Sequence, residues 1–134
     1  MSQKYTVSFG KLFAKEFANF TESDQDKVLD FTDRFEKFGL GDFSQYVGKI
    51  SPSWSNLDSE HPNFSYAMTN SLWHYHIGLP EYIQRHAKYF TSDWVVHFQW
   101  KQGDTHIHLV DMCYHYTADG KFYLPGPQYL DKVG

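Results

Sequence analysis

Histidine offers this chain its widest choice of chemistry near neutral pH, and most of the histidines fall in two stretches. His74 and His76 stand two apart in Ser71–Gly78, SLWHYHIG, and His106 and His108 stand two apart in Trp94–Tyr116, WVVHFQWKQGDTHIHLVDMCYHY. The second stretch also holds His97 and ends Cys113-Tyr114-His115-Tyr116, where a titratable imidazole sits between two phenols. An imidazole titrates close to neutrality, so each of these is a candidate general acid, general base or anion contact. The two His-x-His pairs also suit a metal, because side chains two apart share a strand face and four imidazoles could converge on zinc, nickel or copper if their strands are neighbours. No cysteine or carboxylate stands beside them in a recognised ligand arrangement, and no metal or other cofactor is assigned. Cys113 is read as a small buried residue; without a paired base it is a poor nucleophile. Each histidine pair also fits an ordinary polar sheet face, the commoner reason for such a pattern.

The elements that must position these residues can be read from hydrophobic period. In Trp94–Tyr116, Val96, Phe98 and Trp100 alternate with His97, Gln99 and Lys101, and Ile107 and Leu109 alternate with His106 and His108, the period of two of a half-buried strand. Lys101-Gln102-Gly103-Asp104 joins the two arms, and Gly103 can take the positive φ of a tight hairpin connection. Lys4–Gly10 alternates in the same way and predicts a first strand. Leu12, Phe13, Phe17 and Phe20 then recur at helical intervals, and after the capping signal Thr21-Glu22-Ser23-Asp24 so do Val28, Leu29, Phe31, Phe35 and Phe38, until Gly39-Leu40-Gly41. Asp42–Asn70 reads as loop with one brief strand around Gln45–Ile50. Ser71–Gly78 is a strand with Leu72, His74 and His76 on one face and Trp73, Tyr75 and Ile77 on the other, the latter expected to be buried. Leu79–Asp93 reads as a loop or short helix, and the stretch 117–134, with Gly120, Pro125, Gly126 and Pro127, as an irregular tail. The expected architecture is one α+β domain over 1–134: a small antiparallel sheet with an N-terminal helix hairpin packed on one face.

Composition narrows the setting. With 134 residues the chain can bury a core without disulfides, and its single cysteine fits a reducing compartment. Neither a secretory signal nor a membrane-length apolar run is seen, so a cytoplasmic protein with no membrane association is expected. A formal charge of −4 argues against nucleic-acid binding by general attraction, although eight histidines, partly protonated, would make one face locally positive. Aromatic residues make up 19% of the chain, enough to fill a bulky core and leave rings for a partner or for bases.

In element order and short motifs the chain resembles the RelE/ParE superfamily of bacterial type II toxins. Residues 4–40 match its opening strand and helix hairpin, Leu72-Trp73 with Gly78 match a Leu-Trp…Gly strand, Gly103-Asp104 match its hairpin turn, and Cys113-Tyr114-His115-Tyr116 is similar to the Cys-Arg-Tyr-His-Tyr ending of the YoeB branch. The resemblance spans roughly residues 4 to 116. It implies an endoribonuclease that cleaves messenger RNA on the ribosome by metal-independent acid–base catalysis, with a cognate antitoxin as partner. His115 would be the general acid or base and Tyr116 a phosphate donor or stacking ring. Where family members carry arginine or lysine on the central strands, this sequence has His74, His76 and His97, which would take those catalytic places. Arg85, His86 and Lys88 would contact the RNA backbone, and Glu81 is a further candidate base. The alternatives are a non-catalytic binding protein on the same fold, such as a ParE-like topoisomerase inhibitor or an interaction module, and a His-rich metal-binding domain. Oligomeric state is not legible.

Overall fold

The computed structural model describes residues 4–55, 57–78, 82–86, 89–92, 94–114 and 124–130, with backbone alone for 83–86, 89–91 and 114. Along the chain come β1 (Thr6–Phe9), α1 (Lys11–Ala18), α2 (Glu22–Phe38), a 3₁₀ turn (Phe43–Gln45), β2 (Ile50–Pro52), α3 (Pro62–Thr69), β3 (Leu72–His76), β4 (Ile83–His86), β5 (Tyr89–Thr91), β6 (Trp94–Gln99), β7 (His106–Tyr114) and a second 3₁₀ turn (Pro127–Leu130). The helix hairpin forms as its spacing predicts. The Thr21 hydroxyl accepts from the Asp24 amide at 3.3 Å, and α2 ends where Gly39, at φ 64°, donates its amide to the Phe35 carbonyl. In the β6–β7 hairpin Gly103 takes φ 90° and the Asp104 amide closes the turn on the Lys101 carbonyl at 2.8 Å.

The fold is α+β, and its sheet is mixed rather than antiparallel. Strand order is β1-β7-β6-β3-β2; β1 runs parallel to β7, and the other neighbours are antiparallel. Period two gives a strand's faces but not its direction, so the parallel edge was not legible. On one sheet face Val7, Phe9, Trp73, Tyr75, Val96, Phe98, Ile107 and Leu109 meet Phe13 of α1 and Val28, Phe31 and Phe35 of α2 in the main apolar core. Phe31 stacks on Tyr75 with centroids 4.6 Å apart. Rings dominate this core, as the aromatic content suggests.

Two expected loops hold regular structure. In 42–70 the strand is β2, at Ile50–Pro52 rather than around 45–50, and α3 follows. Pro62 reads as a breaker, yet it occupies the first turn of α3, where its missing N–H costs nothing, and the His61 ring caps that turn by accepting from the Asn63 amide at 3.0 Å. Likewise 79–93 is neither loop nor helix throughout: β4 and β5 pair as a separate two-stranded antiparallel ribbon. Among the described residues no helix is long and apolar enough to cross a membrane.

Candidate functional site: a buried polar sheet face

The sheet face turned away from α1 and α2 carries His74, His76, His97 and His108. Strand register sets Ser51 of β2 opposite His74 of β3, His74 opposite His97 of β6, and His97 opposite Asp111 of β7. These four form a polar row across four strands. A bulge against His97 and Phe98 gives β7 one extra residue, Val110, so that Asp111 can face His97 while Val110 packs with Leu72 and Ala67. Cross-strand neighbours share a face, so Gln99 and His108 extend the layer toward β1 and His76 flanks it on the other side.

This layer is interior. His74 is 1% exposed, His76 7%, His97 0%, His108 2% and Asp111 4%. Both faces of β3 are therefore buried, whereas the Trp73/Tyr75/Ile77 face alone is expected from its pattern. Ala67 of α3 with Trp54, Tyr66, Leu124, Tyr129 and Leu130 packs over Leu72 and Val110. Burial of polar groups is tolerated where partners are supplied. His74 is held between the Ser51 hydroxyl at 3.2 Å from Nε2 and the Ser53 hydroxyl at 3.0 Å from Nδ1. Nδ1 of His76 stands 2.9 Å from the Ser92 carbonyl and 3.1 Å from the Ser92 amide, so one tautomer donates to the first and the other accepts from the second. The ring centroids of His74 and His76 are 5.8 Å apart, and those of His74 and His97 are 6.0 Å apart.

Burial pushes the His76 imidazole below its ordinary pKa; Lys49 adds to this, and the Ser92 backbone bond opposes it. Burial, helped by Asp111 and Glu16, lifts the Cys113 thiol far above the range where a thiolate forms. Cys113 is read from the sequence as a small buried residue and stands half-buried in the fold.

At the β1 edge, parallel register sets Thr6 opposite His106 and Ser8 opposite His108. The Thr6 hydroxyl lies 2.7 Å from Nδ1 of His106, and the Ser8 hydroxyl lies 2.8 Å from Nε2 of His106 and 2.6 Å from Nδ1 of His108. Both imidazoles line a groove of about 260 Å³ together with Gln99, Lys101 and Asp104. Gln99 donates to the Asn70 carbonyl at 3.0 Å, while its own carbonyl oxygen is buried without a partner among the described residues. Ser71, at φ 53° the one non-glycine residue in left-handed conformation among those described, borders the same groove.

Of the predicted catalytic residues, His74, His76 and His97 come together here. His115 and Tyr116 lie outside the described residues, as do Lys88 and Glu81. Arg85 and His86 fall on β4, of which the backbone alone is described. The four-imidazole metal centre does not form, because β6 lies between β3 and β7; among the described residues no three ligating groups gather for an ion. Sequence reasoning passed over Asp111, Ser51, Ser53, Thr6 and Ser8. Asp111 did leave a signal: a lone carboxylate in the apolar run Leu109-Val110-Asp111-Met112, where the alternation slips by one, marks a bulge and a buried partner. When the chain is compared with protein-family models, with curated proteins and with solved structures, nothing matches.

Proposed function

We propose that this chain is an RNA-directed acid–base enzyme on the RelE/ParE layout, the toxin of a type II toxin–antitoxin pair, with His115 and Tyr116 as its reacting groups. The observation that supports this most is the row Ser51–His74–His97–Asp111, in which two predicted catalytic imidazoles share one sheet face with a carboxylate at the β7 end. Cleavage by the RNA's own 2′-hydroxyl needs a base for that hydroxyl, an acid for the departing 5′-oxygen and a donor to the phosphorane. In this reading His115 moves the proton and Tyr116 donates to the phosphate. His74 and His97, at 1% and 0% exposure, do not reach a phosphate. In register they stand in line with Asp111 of β7 instead, His74 opposite His97 and His97 opposite Asp111. The partners are messenger RNA on the ribosome and an antitoxin.

The same burial favours a second reading, a binding protein on this fold in which the imidazoles are structural. Induced expression separates the two. His115→Ala and Tyr116→Phe, each shown folded by circular dichroism, are expected to lose about 10²–10⁴-fold in transcript cleavage and to relieve growth arrest. Growth arrest that persists in both variants, without cleavage, rejects the ribonuclease and supports the binding protein.

A further inference from the structure

We infer that, independently of the RNA reading, the groove beside the β6–β7 turn is a binding site for a free α-amino acid with a small or polar side chain. The groove, of about 260 Å³, lies between the C-terminal turn of α3 and the β6–β7 connection, and Ser71, Gln99, Lys101 and Asp104 line it. Pockets for drug-sized ligands run from about 300 to 1,000 Å³, so this one suits a smaller molecule.

Two residues of the lining call for a ligand. Nε2 of Gln99 donates to the Asn70 carbonyl at 3.0 Å, and a carbonyl can only accept, so the amide is oriented with Oε1 at its other end. That oxygen is buried and has no hydrogen-bond partner among the described residues. A buried acceptor is costly until a donor reaches it, and the broad terminal torsion of Gln99 lets the oxygen meet a donor in the groove. Ser71 is the second residue. Its φ of 53° is one that glycine takes readily, and its backbone is pinned there, the amide to the Met68 carbonyl at 3.2 Å and the carbonyl to the Trp100 amide at 2.9 Å. A side chain is carried against backbone preference, and it lines the groove with a hydroxyl.

Electrostatics select the ligand. Lys101 and Asp104 bring one positive and one negative charge, and the Asp104 amide, bonded to the Lys101 carbonyl at 2.8 Å, holds them across one tight turn. The carbonyl end of α3 adds partial negative charge on the Asn70 side. A ligand with anionic charge alone would face Asp104 and that helix end, and one with cationic charge alone would face Lys101. An ammonium next to a carboxylate answers both: the ammonium supplies N–H donors to Oε1 of Gln99, and the carboxylate pairs with Lys101. The imidazoles wall the groove without competing for these groups. The Thr6 and Ser8 hydroxyls lie 2.7 and 2.8 Å from the two nitrogens of His106, and the Ser8 hydroxyl lies 2.6 Å from Nδ1 of His108. Trp100, the one apolar residue described in the lining, is 5% exposed, so the ligand's own side chain meets polar walls.

Titration of the whole chain, followed by ¹H–¹⁵N correlation spectra, tests the site with L-serine and L-glutamine as probes. Either is expected to shift the amides of Ser71, Gln99 and Lys101 saturably. Ethanolamine is serine without its carboxylate and 3-hydroxypropionate is serine without its ammonium, and each should bind about tenfold or more weakly than serine, since each lacks one charge-assisted bond. Lys101→Ala, at an exposed turn position, should weaken L-serine by a similar factor and leave ethanolamine unchanged. The absence of a saturable shift at these residues with both amino acids overturns the site. Serine binding no tighter than ethanolamine or 3-hydroxypropionate, or undiminished in Lys101→Ala, overturns the zwitterion. Tighter binding of L-phenylalanine or of adenosine 5′-monophosphate than of either amino acid overturns the assigned ligand class.

Discussion

At the scale of single residues, His74 shows why a histidine pair in a sequence does not announce its role. Its two nitrogens are occupied by Ser51 and Ser53, and Ser53 is itself 0% exposed. An imidazole held from both sides is a good positioning residue and a poor contact for a substrate. Removing it strands a buried hydroxyl, and the penalty for one unsatisfied buried group is about 1–3 kcal/mol. His74→Leu is therefore expected to lower the urea midpoint by that equivalent with an unchanged m value, as measured by equilibrium unfolding. Ser51→Ala, at the half-buried outer nitrogen, should cost less than His74→Leu. A His74→Leu variant as stable as the parent contradicts the structural role and returns His74 to the list of catalytic candidates.

At the scale of elements, the sequence was most informative where one face of an element is apolar and the other polar. The β6–β7 hairpin, the α1–α2 pair and β3 all follow from period and capping, since Thr21, Gly39 and Gly103 do in the fold what their side chains allow. Legibility failed where both faces are buried or where pairing partners decide. His74, His76, His97 and His108 alternate like solvent-facing residues, yet α3 and the segment around Leu124–Leu130 contribute to a second layer over them. Neither α3, hidden behind Pro62, nor the parallel pairing of Thr6-x-Ser8 with His106-x-His108 leaves a local signature. The site was thus visible as residue types but not as an arrangement. One close approach was equally silent: a Cβ at Gly48 would overlap the His76 carbonyl oxygen, and this is backbone that cannot swing away. The His76 amide also donates to the Lys49 carbonyl at 3.0 Å, so β2 is tied to β3 at that point. Gly48→Ala should separate this edge at a cost of about 1–3 kcal/mol or more, the range for overpacking a well-filled site. Thermal unfolding measures the loss, and amide hydrogen exchange should place the first opening at Ile50–Pro52. Uniform protection across the sheet in that variant contradicts the assignment.

At the scale of the whole molecule, a sheet buried on both faces, one apolar and one rich in imidazole, ties stability to pH. His76 provides the sign. Its folded pKa lies below the ordinary value of 6.5, first because burial penalises the cation and then because Lys49 repels it, with the Ser92 backbone bond acting the other way. Above pH 6.5 the ring is neutral in folded and unfolded chains alike, and it contributes no pH dependence. As pH falls through 6.5 the unfolded chain takes up a proton that the folded chain refuses, so stability declines until the folded value is passed. The carboxylate of Asp42, held low by the Ser44 hydroxyl and amide, acts in a separate and more acidic window, below its ordinary 3.8. Melting temperature should therefore be level from about pH 8 to about pH 7 and fall between about pH 6.5 and pH 5, well before the carboxylates titrate. Calorimetry in buffers of different ionisation enthalpy would register proton uptake on unfolding across that interval. His76→Gln, which cannot be protonated, should flatten the decline even if it starts from a lower melting temperature. A melting temperature constant down to about pH 5 would mean that the imidazole face has access to water, and the buried layer would then have to be redrawn as an open one.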